Sequence, residues 1–161
     1  MSTEEPSSPK VVIIGLDGAT FDLIFPWIKA GKLPSIAKVL DSSSYGPLSS
    51  TYPPSTFPAW TTFMTGKNPG KHGIYDFTQH KEDVYGIQIV NSTFRKGKTL
   101  WQLLSEYGKR VGVLGLPATY PPEPINGFII SGFDSPVTTG IDSSFTYPRE
   151  LYGELKKKLG P

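Results

Sequence analysis

The sequence predicts an α/β fold: a mainly parallel central sheet flanked by helices. Two observations carry this. Residues 10–16, 110–116 and 128–131 are short apolar runs rich in Val, Ile and Leu, the pattern of strands buried on both faces. Segments with apolar positions at helical spacing lie between them, and strands that alternate with helices imply βαβ units.

Each element has its own local signal. Residues 1–9 are polar and acidic and read as a flexible tail. Lys10-Val-Val-Ile-Ile-Gly-Leu16 is the first strand, ended by Asp17-Gly18. Phe21, Ile24, Phe25 and Ile28 then recur at helical spacing, with Gly31 as the stop. Pro26 either starts a new helix there or kinks the one before it. Pro34 opens a second helix, with Ile36, Val39 and Leu40 on one face. Residues 46–55 are rich in Pro, Ser and Thr and read as a loop. Residues 56–65 carry the helical stripe Phe57, Trp60, Phe63 and Met64, closed by Gly66. Residues 85–90 are a strand, and residues 100–107 an amphipathic helix ended by Gly108. After the strands at 110–116 and 128–131, residues 149–159 form an amphipathic helix with a basic outer face.

Composition excludes several classes. Hydrophobic residues make up 37% and charged residues 19% of the 161, so the chain is neither disordered nor membrane-like. Absence of cysteine removes disulfides, a thiolate zinc site and a cysteine nucleophile together. A net charge of +2 is too small to call for nucleic acid. The N-terminus lacks the basic start and apolar stretch of a signal peptide, and the longest apolar run, residues 11–16, is far too short to cross a bilayer. A cytoplasmic, soluble protein with no membrane or nucleic-acid partner is the expectation.

Two positions offer chemistry. Asp17 stands at the carboxyl end of the first strand, where α/β sheets place their ligands. It is either a metal ligand or phosphate-site acid, or a turn residue that caps the next segment. In Pro53-Pro-Ser-Thr56-Phe-Pro-Ala-Trp60 a proline-rich loop delivers Thr56 to the start of a helix. Free N–H groups and the positive dipole end make that a phosphate site. The Thr56 hydroxyl is there as an N-cap or as a nucleophile, and a nucleophilic threonine needs a base or a metal to activate it.

Leu-Asp17-Gly, then Thr56-Phe-Pro, Thr65-Gly66, Pro69 and His72-Gly73-Ile74, is a pattern that resembles the alkaline phosphatase superfamily, and within it the type I phosphodiesterase/nucleotide pyrophosphatase branch. Leu116-Pro-Ala-Thr-Tyr-Pro-Pro122 and Asn126-Gly-Phe-Ile-Ile-Ser-Gly-Phe133 resemble a prokaryotic subgroup of that branch. The resemblance runs from about Lys10 to the end. It implies an alkaline-phosphatase-like core and a site with two divalent metal ions, expected to be zinc, acting on a small phosphorylated substrate. Asp17 would bind one zinc. Thr56 would bind the same metal as an alkoxide, attack phosphorus in line, and pass through a phosphothreonine.

Departures from the family pattern narrow this. Sulfatases of the superfamily have Cys or Ser at the nucleophile and Arg four residues on; here those positions hold Thr56 and Trp60, so sulfate chemistry is not expected. Nucleotide pyrophosphatases have Asn after the Phe-Pro pair and again past His-Gly-Ile; Ala59 and Asp76-Phe77 stand here, which leaves a nucleotide preference without support. The family's remaining Asp and His ligands lie far downstream, so the expectation is an incomplete core, residues 10–161, whose partner is the rest of the catalytic domain beyond Pro161. His72 matches a structural position of the family. Asp76 and His80 have the Asp-x-x-x-His spacing of a helical metal pair, but in a setting that reads as loop or strand. Gly66-Lys-Asn-Pro-Gly70-Lys-His72 falls one residue short of a phosphate loop and reads as a solvated turn. Arg95-Lys-Gly-Lys98 reads as an exposed basic edge. Pro117-Ala-Thr-Tyr120 and Asp134, near strand ends, could border the site, and Asn91-Ser-Thr93 is a glycosylation sequon in spelling only. The alternatives to a hydrolase are a non-catalytic or degenerate α/β binding module, and a phosphomutase of the same superfamily.

Overall fold

The computed structural model describes residues 10–81, 85–135 and 143–160, so the polar tail at 1–9 lies outside the described residues. The chain divides between Leu48 and Ser49 into two compact units.

The first unit is helical. Helix α1 (Phe21–Lys29) starts at Thr20, whose side chain accepts the Asp22 N–H at 3.3 Å. Pro26 neither starts nor breaks it: the helix runs through the proline, whose carbonyl still accepts the Ala30 N–H. Helix α2 (Pro34–Asp41) opens on its proline. Phe21 stacks on Phe25 at 4.7 Å, and Tyr45 meets both rings edge-on. No described residue of this unit is buried.

The strand expected at residues 10–16 does not form, and this corrects the reading of a mainly parallel central sheet. Val11, Val12 and Ile14 are more than 80% exposed. A doubly buried strand exists only through its neighbours, and the other described elements of this unit are helices.

The second unit is mixed α/β. Helix α3 (Thr56–Thr65) ends at Gly66, whose φ of 63° puts it in the left-handed region that glycine enters without steric cost. A single turn, α4 (Pro69–His72), comes next, capped by Asn68. Strands β1 (Thr78–His80) and β2 (Ile87–Ile89) form an antiparallel pair. Helix α5 (Leu100–Glu106) begins with a reciprocal capping box between Thr99 and Gln102. Strand β3 (Val111–Leu114) runs parallel to β4 (Gly127–Ile130), and β4 pairs antiparallel with β5 (Thr146–Tyr147). Helix α6 (Glu150–Leu159) closes the described chain.

Two small sheets, one antiparallel and one mixed, therefore replace the expected single parallel sheet among the described residues. The three-stranded sheet buries one face only. Val113 and Ile129 pack with Met64 of α3 and Trp101 of α5, while Leu114 and Phe128 on the opposite face stay exposed. A second cluster joins Phe57, Ile74, Val90 and Ala118. Of the stripe expected on α3, Phe57 and Met64 are buried; Phe63 faces outward, and Thr61 takes the inner position instead.

Candidate functional site

Thr56 is the first residue of α3, and the cap position belongs to Ser55. Ser55 has extended backbone (φ −124°, ψ 157°), and its carbonyl accepts the first helical N–H, from Ala59, at 3.1 Å. The loop before it is tied down. The Ser55 N–H and the Thr51 hydroxyl both donate to the Pro53 carbonyl, at 3.0 and 2.8 Å. Pro58 sits in the first turn, where a helix has no use for its missing N–H.

Phe57 fixes where that helix end stands. Its ring lies 4.4 Å from Phe77 and 6.0 Å from Phe133. It also packs with Ala118, which lies beyond β3, while Phe133 lies beyond β4. The start of α3 thus meets the carboxyl ends of two parallel strands, the place where α/β sheets bind ligands. Phe133 is 65% exposed and keeps an aromatic face open there.

The loop after β3 is held from below. Asp134 accepts the Ala118 N–H on Oδ1 at 3.1 Å and the Tyr120 N–H on Oδ2 at 3.2 Å. Thr119 donates to the Leu116 carbonyl at 2.6 Å and accepts the Gly132 N–H at 3.1 Å. Gly132 must be glycine, because a Cβ there would lie 2.2 Å from the Leu116 oxygen. Burial pushes the Asp134 carboxyl above its ordinary value, against the pull of the backbone N–H groups it accepts. Ala118 and Phe133 lie by the start of α3 through Phe57, and Asp134 anchors the loop that carries Ala118.

His72 is fully buried. Its Nδ1 accepts the Ile74 N–H at 3.1 Å, so the ring proton sits on Nε2, 3.0 Å from the Thr62 hydroxyl. Both nitrogens are occupied, and the residue has the structural role its position implied. Arg95 corrects the reading of an exposed basic edge. Its side chain is 5% exposed, pairs with Glu123 at 2.7 Å, and donates to the Ala118 carbonyl at 3.2 Å. Glu123 also accepts from Thr99 and Trp101, a junction that no local signal in the sequence marks. Asp76 and His80 are exposed, with His80 in strand β1, so the helical pair does not arise. Gly66 to His72 folds as a capped turn, and Asn91 spends its side chain on Thr93.

Asp17 lies in the first unit, in an exposed turn with Gly18, and Thr56 in the second. Among the described residues no three His, Asp or Glu side chains are grouped to hold a metal ion. The residues present therefore do not amount to the ligand set of a two-zinc site.

A helix that starts on a hydroxyl residue where parallel strands end is the general form of a phosphate-handling α/β protein. The chain belongs to the type I phosphodiesterase/nucleotide pyrophosphatase family, whose model matches residues 11–159. This supports phosphoester hydrolysis as the activity class and agrees with the alkaline phosphatase superfamily resemblance. No curated protein and no solved structure gives a significant match. No helix among the described residues is long and apolar enough to cross a membrane.

Proposed function

We propose that the protein hydrolyses a small phosphate ester with Thr56 as nucleophile. The observation that carries this reading is the place of Thr56 at the first position of α3. Ser55 occupies the cap position, without a side-chain capping hydrogen bond, and Thr56 follows it in the first turn. The helix start offers backbone N–H groups and a positive dipole end to a phosphate. In the proposed reaction the Thr56 oxygen forms a bond to phosphorus, the alcohol leaves, and water then hydrolyses the phosphothreonine.

The threonine hydroxyl needs activation by a base or a metal. His72 has both ring nitrogens engaged, and Asp134 has both oxygens engaged. Divalent metal ions, zinc by the chemistry of the family, are part of the proposal at the level of ligands only: Asp17 and Thr56 would each offer an oxygen. The other donors would have to come from beyond the described residues.

The test is release of nitrophenol from p-nitrophenyl phosphate and bis-p-nitrophenyl phosphate by the full-length protein, with and without added zinc. Zinc-dependent release that Thr56→Ala abolishes is the expected result. Full activity in that variant would overturn the assignment. Phosphoryl transfer within a phosphosugar, without release of inorganic phosphate, would establish a mutase instead.

A further inference from the structure

We infer that the cleft between residues 49–52 and the turn joining α3 to α4 binds a saccharide. The cleft has a volume of about 490 Å³, within the usual range of small-ligand sites, and lies wholly in the second unit. Ser49, Ser50, Tyr52, Thr62, Asn68 and Tyr75 supply its polar groups, with Pro69 and Gly70 completing the wall. Among the described residues no acid, lysine, arginine or histidine lines it. A charged ligand would find no counter-charge there, and a purely apolar one would leave the hydroxyls unpaired. A saccharide fits both halves of this surface. Its hydroxyls meet the hydroxyl and amide groups, and its C–H faces meet the rings of Tyr52 and Tyr75.

Hydrogen bonding within the protein sets the polarity of the cleft. Thr62 accepts the Nε2 proton of His72, so its own hydroxyl proton is left to donate. Asn68 spends its carbonyl oxygen on the Lys71 N–H at 3.2 Å, which leaves its two amide protons. Thr51 is the reverse: its proton goes to the Pro53 carbonyl, and its oxygen lone pairs remain. The lining thus offers donors at Thr62 and Asn68 and an acceptor at Thr51, a mixture suited to the paired donor and acceptor character of sugar hydroxyls. Saccharide binding here does not depend on the hydrolase reading.

The test is amide chemical-shift titration of the ¹⁵N-labelled protein with glucose, N-acetylglucosamine and maltose, and separately with inorganic phosphate. At least one saccharide should shift the amides of Tyr52, Asn68, Gly70 and Tyr75 to saturation. Thr62→Val should weaken that binding about tenfold, the loss of one well-placed hydrogen bond. Tyr52 is 92% exposed, so Tyr52→Ala tests the cleft without threatening the fold, and it should weaken binding as well. No saturable shift with any of the three sugars, unchanged affinity in Tyr52→Ala, or saturation by phosphate alone would overturn the inference.

Discussion

His72 gives its one ring proton to Thr62: Nε2 lies 3.0 Å from the hydroxyl oxygen while Nδ1 accepts the Ile74 N–H. This pair ties α4 to α3 with a neutral imidazole. Burial lowers the His72 pKa below its ordinary 6.5; the Pro58 carbonyl, which favours a charged ring, opposes this, and the nearby Arg95 charge adds to it. Above pH 6.5 the ring is neutral in the folded and the unfolded chain, and its contribution is complete. Below 6.5 the unfolded chain takes up a proton that the fold resists, so stability falls with pH until the depressed folded value is passed. The urea midpoint should therefore drop between about pH 7 and about pH 5. In His72→Gln it should be lower at the start and flatter over that range. An equal slope in the variant would show that other groups carry the dependence. Asp134, raised in the fold, works in the opposite direction as pH falls through its own range, so only the comparison isolates His72.

Arg95 and Glu123 make a sharper prediction. Both side chains are largely shielded, and Glu123 holds Arg95, Thr99 and Trp101 at once. Glu123→Ala strands a buried guanidinium and should cost about 3–5 kcal/mol. The double variant Arg95→Met, Glu123→Gln removes both charges and keeps an acceptor for Thr99 and Trp101. It should recover much of that loss, since replacing a buried pair costs less than breaking it. Denaturant unfolding of the three proteins decides. A double variant no more stable than the single one would mean that the ion pair itself is what stabilises the junction.

Legibility in the sequence tracked the range of the interactions involved. Helix α3 was readable to its ends because the proline-rich loop, the apolar stripe and Gly66 are local signals. The strands β3 and β4 were readable as apolar runs, but their order and partners were not, since pairing is decided by contacts far apart in sequence. Residues 10–16 show the same limit from the other side: an apolar run becomes a strand only where a neighbour pairs with it. The spaced motif around Asp17 and Thr56 made the family legible, and its model matches residues 11–159. The packing of Phe77 and Phe133 around Phe57 was not legible, because it joins residues far apart in sequence. Arg95 misled for a related reason: a cluster of basic residues signals solvent, and only the distant Glu123 reveals burial.

Thr61 offers a test of packing on the inner face of α3. Its side chain is fully buried, and its hydroxyl has no hydrogen-bond partner among the described residues. Thr61→Val keeps the shape and removes the unpaired polar atom. It should stabilise the fold by about 1 kcal/mol, or about 2–4 °C in melting temperature. A lower melting temperature in the variant would show that the hydroxyl is satisfied in solution.

The nucleophile assignment for Thr56 is separable from a packing role by two substitutions of opposite kind. Thr56→Val keeps the branched shape and loses the hydroxyl; Thr56→Ser keeps the hydroxyl and loses the branch. If Thr56 serves only to position α3, valine should preserve hydrolysis and serine should not be special. If its oxygen attacks phosphorus, valine should lower kcat by about 10³-fold or more, while serine retains a substantial part of the activity. Asp17→Asn adds an independent axis. As a metal ligand it should raise the zinc concentration needed for half-maximal hydrolysis, while a turn residue replaced by asparagine should leave that requirement unchanged. Rates with an aryl phosphate, measured across a zinc titration for all three full-length variants, distinguish these cases. Activity that survives in Thr56→Val would remove Thr56 from the chemistry, whatever Asp17 does.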